Sequence, residues 1–110
     1  MVVNDAALST RTTAVFKAAF GQQAQPLPLV MPGSEDCSEF VDAGVPSVYF
    51  LIGGLDPEVF AKAIKAGHLP VNHAPEFAPE AELTIMTGAT AMALAVMTAA
   101  RQSGSEARPD

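Results

Sequence analysis

Basic residues are scarce in this 110-residue chain, where six lysines and arginines stand against twelve acids for a net charge of −6. They form no run or stripe, which argues against nucleic acid or an anionic membrane surface as a partner. Cysteine is scarcer still. Cys37 is single, so no internal disulfide can form, and a reduced, cytoplasmic setting is the simplest inference. No charged segment followed by an apolar core opens the chain, so no signal peptide is expected. The apolar stretches read as too short or too interrupted to span a bilayer. Internal repeats are missing too, and the one compositional bias is the Ala/Met richness of residues 80–101. These absences together predict a soluble cytoplasmic polypeptide with neither a nucleic acid nor a membrane partner.

What is present is apolar material, 49% hydrophobic against 16% charged, in a length that suits one domain. Asn4 or Asp5 can cap a first helix running to about Phe20, with Leu8, Thr12, Val15, Phe16, Ala19 and Phe20 on one face and Gly21 as its left-handed stop. A polar connector, 22–26, leads to residues 27–31, which read as a short strand despite Pro28. Ser34 is placed to cap a second helix with Glu35 and Asp36 in its first turn, ending near Ala43-Gly44. Ser47-Val48-Tyr49-Phe50-Leu51-Ile52 is apolar on both faces, the habit of a strand covered on two sides in a parallel sheet.

Asp56-Pro57-Glu58 is a helix start in which Phe60, Ala63 and Ile64 are expected to face inward, and Gly67 is its stop. Pro79-Glu80 opens a last helix to about Arg101. Leu83, Met86, Ala89, Thr90, Ala93 and Met97 form one stripe and Ile85, Met92 and Val96 another, so burial is expected over most of its circumference. Residues 102–110 read as a disordered polar tail. The pattern predicts an α/β fold: a short parallel sheet flanked by helices over residues 1–101. A two-stranded sheet is a poor sheet, which makes the unit look incomplete.

The segment Leu69-Pro70-Val71-Asn72-His73-Ala74-Pro75-Glu76-Phe77 sets a histidine in a proline-bounded loop just ahead of a long apolar helix. With Gly33-Ser34-Glu35-Asp36 upstream, it resembles the C-terminal part of the zinc-dependent amidohydrolases, a group with the aminoacylases, hippurate hydrolases, indole-acetyl-amino-acid hydrolases and carboxypeptidases of the same clan. The resemblance extends from Val2-Val3-Asn4-Asp5 to the end of the last helix. It implies an incomplete part of a larger hydrolase-like α/β catalytic domain, with His73 as one metal ligand. Intact members bind two zinc ions, and their other ligands and catalytic glutamate lie in an N-terminal half that has no counterpart here. The resemblance also implies that Gly33 and Ser34, at a helix start, bind substrate through the carboxylate of an N-acyl amino acid. Cys37 stands where the family has an aromatic residue, which alters the pocket wall.

Each of these residues also has a plainer explanation. A histidine in such a loop can be a surface residue or a helix cap, and Ser34 with its acids is sufficiently explained as a capped helix start. His68 reads as a cation near a helix C-terminus, Glu76 and Glu80 as exposed helix-start acids, and Cys37 as a small buried residue. Gly53-Gly54 lacks the spacing of a phosphate loop and reads as a turn. The resemblance therefore implies a fragment of a metal-dependent amidohydrolase acting on N-acyl amino acids or small peptides, inactive alone. Its expected partner is the missing N-terminal half, or a second copy by self-association. The alternative is a non-catalytic module for partner binding or assembly.

Overall fold

The computed structural model describes residues 2–27, 36–69 and 72–106, with side chains described as far as Arg101. The described residues form α1 (Ala6–Phe20), a short 3₁₀ turn (Gly21–Gln23), α2 (Ser38–Asp42), α3 (Pro57–Ala66) and α4 (Ala81–Glu106). Among them there is no strand and no sheet. The expected α/β fold with a parallel sheet is overturned. Residues 45–54 do run without helix, as their β-rich composition suggests, but a strand is defined by a neighbour and no described backbone ladders with them. Most of the other expected strand, 28–31, lies outside the described residues.

The chain divides into two compact units, one of Met1–Phe50 with Ala91–Asp110 and the other of Leu51–Thr90. In the first, Asp5 caps α1 by accepting from the Leu8 N–H at 2.7 Å. Gly21 stops the helix at φ 57°, a value that costs glycine little. Leu8 and Thr12, one turn apart, are the buried residues of α1. Phe16 continues that face and meets Phe20 and Phe50 edge-on, with ring centroids 5.8 and 5.0 Å away. α2 ends in a Schellman stop: Gly44 at φ 79°, its N–H on Val41 O (2.9 Å), and the Val45 N–H on Phe40 O (2.9 Å). From there the chain runs back along residues 4–5. Asp5 N–H donates to Ser47 O (2.8 Å), and the Asn4 carboxamide takes both backbone groups of Tyr49 (3.0 and 2.7 Å).

The second unit relies on local chemistry. Asp56 caps α3 by accepting from the N–H groups of Glu58 and Val59 (2.8 and 3.2 Å), with Pro57 in the first turn. Only Ala63 of the expected inward face is half-buried. Phe60 and Ile64 are exposed, because no described layer lies against the apolar stripe of this helix.

α4 departs from expectation in two ways. It continues to Glu106, so part of the expected polar tail is helical backbone. It also buries small residues and exposes large ones. Ala91, Ala95 and Thr98, spaced as one helical stripe, are at most 8% exposed, whereas Leu83, Ile85, Met86, Met92, Val96 and Met97 are 50–67% exposed. Small side chains let a helix approach its neighbour closely. A helix apolar all round then leaves its bulkier faces outside whichever way it packs. Between Ala81 and Arg101 this helix is long and apolar enough to cross a membrane, at a mean hydropathy of 1.6. The expectation that no stretch meets that criterion is thereby corrected.

Candidate functional site

The loop carrying His73 belongs to the second unit and begins where α3 is stopped. Gly67, at φ 70°, places its N–H on Ile64 O and the His68 N–H on Ala63 O, both at 3.1 Å, a second Schellman motif. The turn brings the His68 imidazole round to Glu76, with Nε2 2.9 Å from Oε1. The Glu76 carboxyl is held below its ordinary range by a backbone hydrogen bond first and by His68 second. Both side chains are well exposed, so this latch is soft. It was not visible in the sequence, where His68 reads as a helix-end cation and Glu76 as an exposed helix-start acid.

The far end of the loop is tied to Gly54. Its carbonyl accepts from the Glu80 N–H (2.7 Å) and from the Thr84 hydroxyl (3.4 Å). Phe77 and Pro79 crowd the same glycine: a Cβ there would stand 3.1 Å from the Pro79 Cβ, so a side chain would push the loop away. Glu80 is the cap of α4, its carboxylate accepting from the Leu83 N–H at 2.6 Å. Glu80 thus stands at the helix start, as the sequence suggests, and serves there as the cap.

His73 lies between these two ties, exposed, with φ 73°. It is the one non-glycine residue at positive φ among the described residues. Such a backbone state costs roughly 1–2 kcal/mol for an L-residue, so the surrounding turns must impose it. The imidazole offers a nitrogen that can ligate a metal or exchange a proton. A tight zinc site takes three or four ligands, and among the described residues no group of three or more histidines, cysteines or carboxylates is gathered to hold one. Glu76, the nearest acid in sequence, is engaged by His68. The described residues thus do not compose a self-contained dinuclear centre, and no catalytic step through zinc is derived for this chain.

Gly33 and Ser34, the expected substrate-binding pair, lie outside the described residues. α2 begins at Ser38, and Cys37 holds its cap position without a side-chain cap bond, so the helix expected to start at Glu35 starts later. Cys37 is exposed, not the buried small residue expected. It borders an apolar groove of the first unit, beside Phe40 and Val48. No family model matches the chain, and neither does any curated protein or solved structure.

Proposed function

We propose that this chain is the C-terminal segment of a zinc-dependent amidohydrolase, that it contributes His73 as one metal ligand, and that it is inactive alone. The observation that carries this reading is the conformation of His73: an exposed imidazole at φ 73°, in a loop tied at Gly54 and at Glu76. A histidine held at positive φ, its side chain bonded to no other described residue, suits a ligand-presenting loop. The motif Asn72-His73-Ala74-Pro75-Glu76-Phe77 supplies the resemblance that names the chemistry. The substrate class, N-acyl amino acids or small peptides, and the helix start at Gly33 and Ser34 come from that resemblance alone.

Zinc calorimetry combined with an assay on N-acyl amino acids tests the proposal. The purified chain should bind zinc weakly and turn over no substrate, because one imidazole lacks the cooperating ligands of a tight site. Tight binding abolished by His73→Ala, or turnover by the chain alone, defeats the inactive-segment reading. A polypeptide supplying the remaining ligands should restore hydrolysis, and His73→Ala should remove it again.

A second reading is a non-catalytic assembly module. It is favoured by the exposed large apolar side chains of α3 and α4. It parts from the first reading at one point: under it, His73→Ala changes nothing that can be measured in any complex the chain forms.

A further inference from the structure

In the first unit the non-helical segment following α2 is hydrogen-bonded, among the described residues, along the edge that residues 4–5 occupy. Asn4 takes both the N–H and the C=O of Tyr49, and Asp5 N–H donates to Ser47 O. In extended backbone, successive residues turn these groups to opposite edges. The groups of Val48 and Phe50 therefore face away from residues 4–5, and no hydrogen bond joins them to a described residue. Alongside lies an apolar groove of about 320 Å³, lined by Val48, Phe50, Phe40, Met92 and Val96 among others.

We propose that this face is the interface of a two-fold homodimer, in which residues 47–50 of two copies pair antiparallel about Tyr49. A helix cannot occupy the edge, since its own backbone groups are already paired; an extended chain can. A second copy offers the same pattern of donors and acceptors, which no described residue meets. A two-fold axis at Tyr49 sets Val48 opposite Phe50 of the second copy, and Phe50 opposite its Val48. Both become hydrogen-bonded pairs of a β-branched and an aromatic residue, a favoured cross-strand combination. The groove then receives apolar side chains of the approaching strand. Assembly stops at two copies because Asn4 and Asp5 occupy the opposite edge, which leaves no second template. None of this depends on whether His73 ligates a metal.

Sedimentation velocity on the full chain across a concentration series tests the proposal, with Val48→Pro as the deciding variant. Proline at 48 removes a donor from the open edge and leaves the Asn4 and Asp5 bonds in place. The dimer should weaken by tenfold or more while helical circular dichroism is retained. Amide exchange on the unmodified protein gives a readout that does not depend on the variant folding. The Val48 and Phe50 N–H groups should gain protection as concentration rises, and the Tyr49 N–H should not. A monomer at every concentration, growth beyond the dimer, or protection at Val48 and Phe50 that is independent of concentration overturns the proposal. So does a dimer that survives Val48→Pro but is lost in Ile85→Lys, which would move the interface to the outer face of α4.

Discussion

The two units of this protein are held together by different physics. Every buried residue among those described belongs to the first: Leu8, Thr12, Ala91, Ala95 and Thr98. The second has none, yet its helix ends and loop are closely specified by a carboxylate cap at Asp56, a left-handed glycine at Gly67, the Gly54 carbonyl and the capping Glu80. One unit is organised by packing, the other by hydrogen bonds, mostly between residues a few positions apart, with Gly54 tied to Glu80 and Thr84 as the longer closure. Burial and definition are separate properties. A segment can have well-determined turns and still gain little from the hydrophobic effect.

The largest expected effect tests the packed side of that contrast. Leu8→Ala should destabilise the first unit by about 2–5 kcal/mol, the range for emptying a leucine site. Chemical denaturation followed by tyrosine emission suits the measurement, since Tyr49 is the single tyrosine and there is no tryptophan. A loss under about 1 kcal/mol would mean that the site collapses freely and that packing does not organise this unit.

Asn4→Ala comes next. Removing a carboxamide that meets both backbone groups of Tyr49 should cost about 1–2 kcal/mol, two ordinary hydrogen bonds at roughly 1 kcal/mol each. The same emission detects it, and an unchanged midpoint would show that water replaces the side chain without loss.

For the second unit, Asp56→Ala should cost about 1 kcal/mol, the usual value for losing a cap. Amide exchange at Glu58 and Val59 is the appropriate probe, because both N–H groups bond to the Asp56 carboxylate. If those amides keep their protection, the start of α3 is held by something other than its cap.

The smallest effect is a pH dependence. The Glu76 carboxyl lies below its ordinary value of 4.5 in the folded chain. Its contribution is therefore present above that value and fades as pH falls through the lowered folded one. Exchange at the Phe77 amide should quicken over that acid window relative to its behaviour in Glu76→Gln. A dependence running the other way within that acid window would contradict the His68 latch.

The same division explains what could be read from the chain beforehand. Asp5, Gly21, Gly44, Asp56-Pro57, Gly67 and Glu80 all mark helix ends where the structure has them, because capping is decided within about four residues. The strand expected at 47–52 is not found among the described residues, and most of its expected partner, 27–31, lies outside them. What met Tyr49 was a side chain, Asn4, that no strand pattern foretells. The burial of α4 failed for another reason. Its leucines, isoleucine and methionines ring the helix, so periodicity could not single out the narrow stripe of Ala91, Ala95 and Thr98 that packs. At the candidate site the loop and His73 were legible as a motif. The positive φ and the His68–Glu76 latch arise from how two turns close on each other, and the pattern of residue types does not encode that.

The Asn4 clamp has a chemical corollary. It works because a carboxamide carries a donor and an acceptor on adjacent atoms, matching a peptide unit. Slow hydrolysis of that amide to aspartate would keep an acceptor for the Tyr49 N–H but turn a second negative oxygen towards the Tyr49 carbonyl. One atom exchanged for another, with no change in shape, would convert attraction into repulsion at the edge that orders this segment. Deamidation at residue 4 should therefore loosen the backbone at Tyr49.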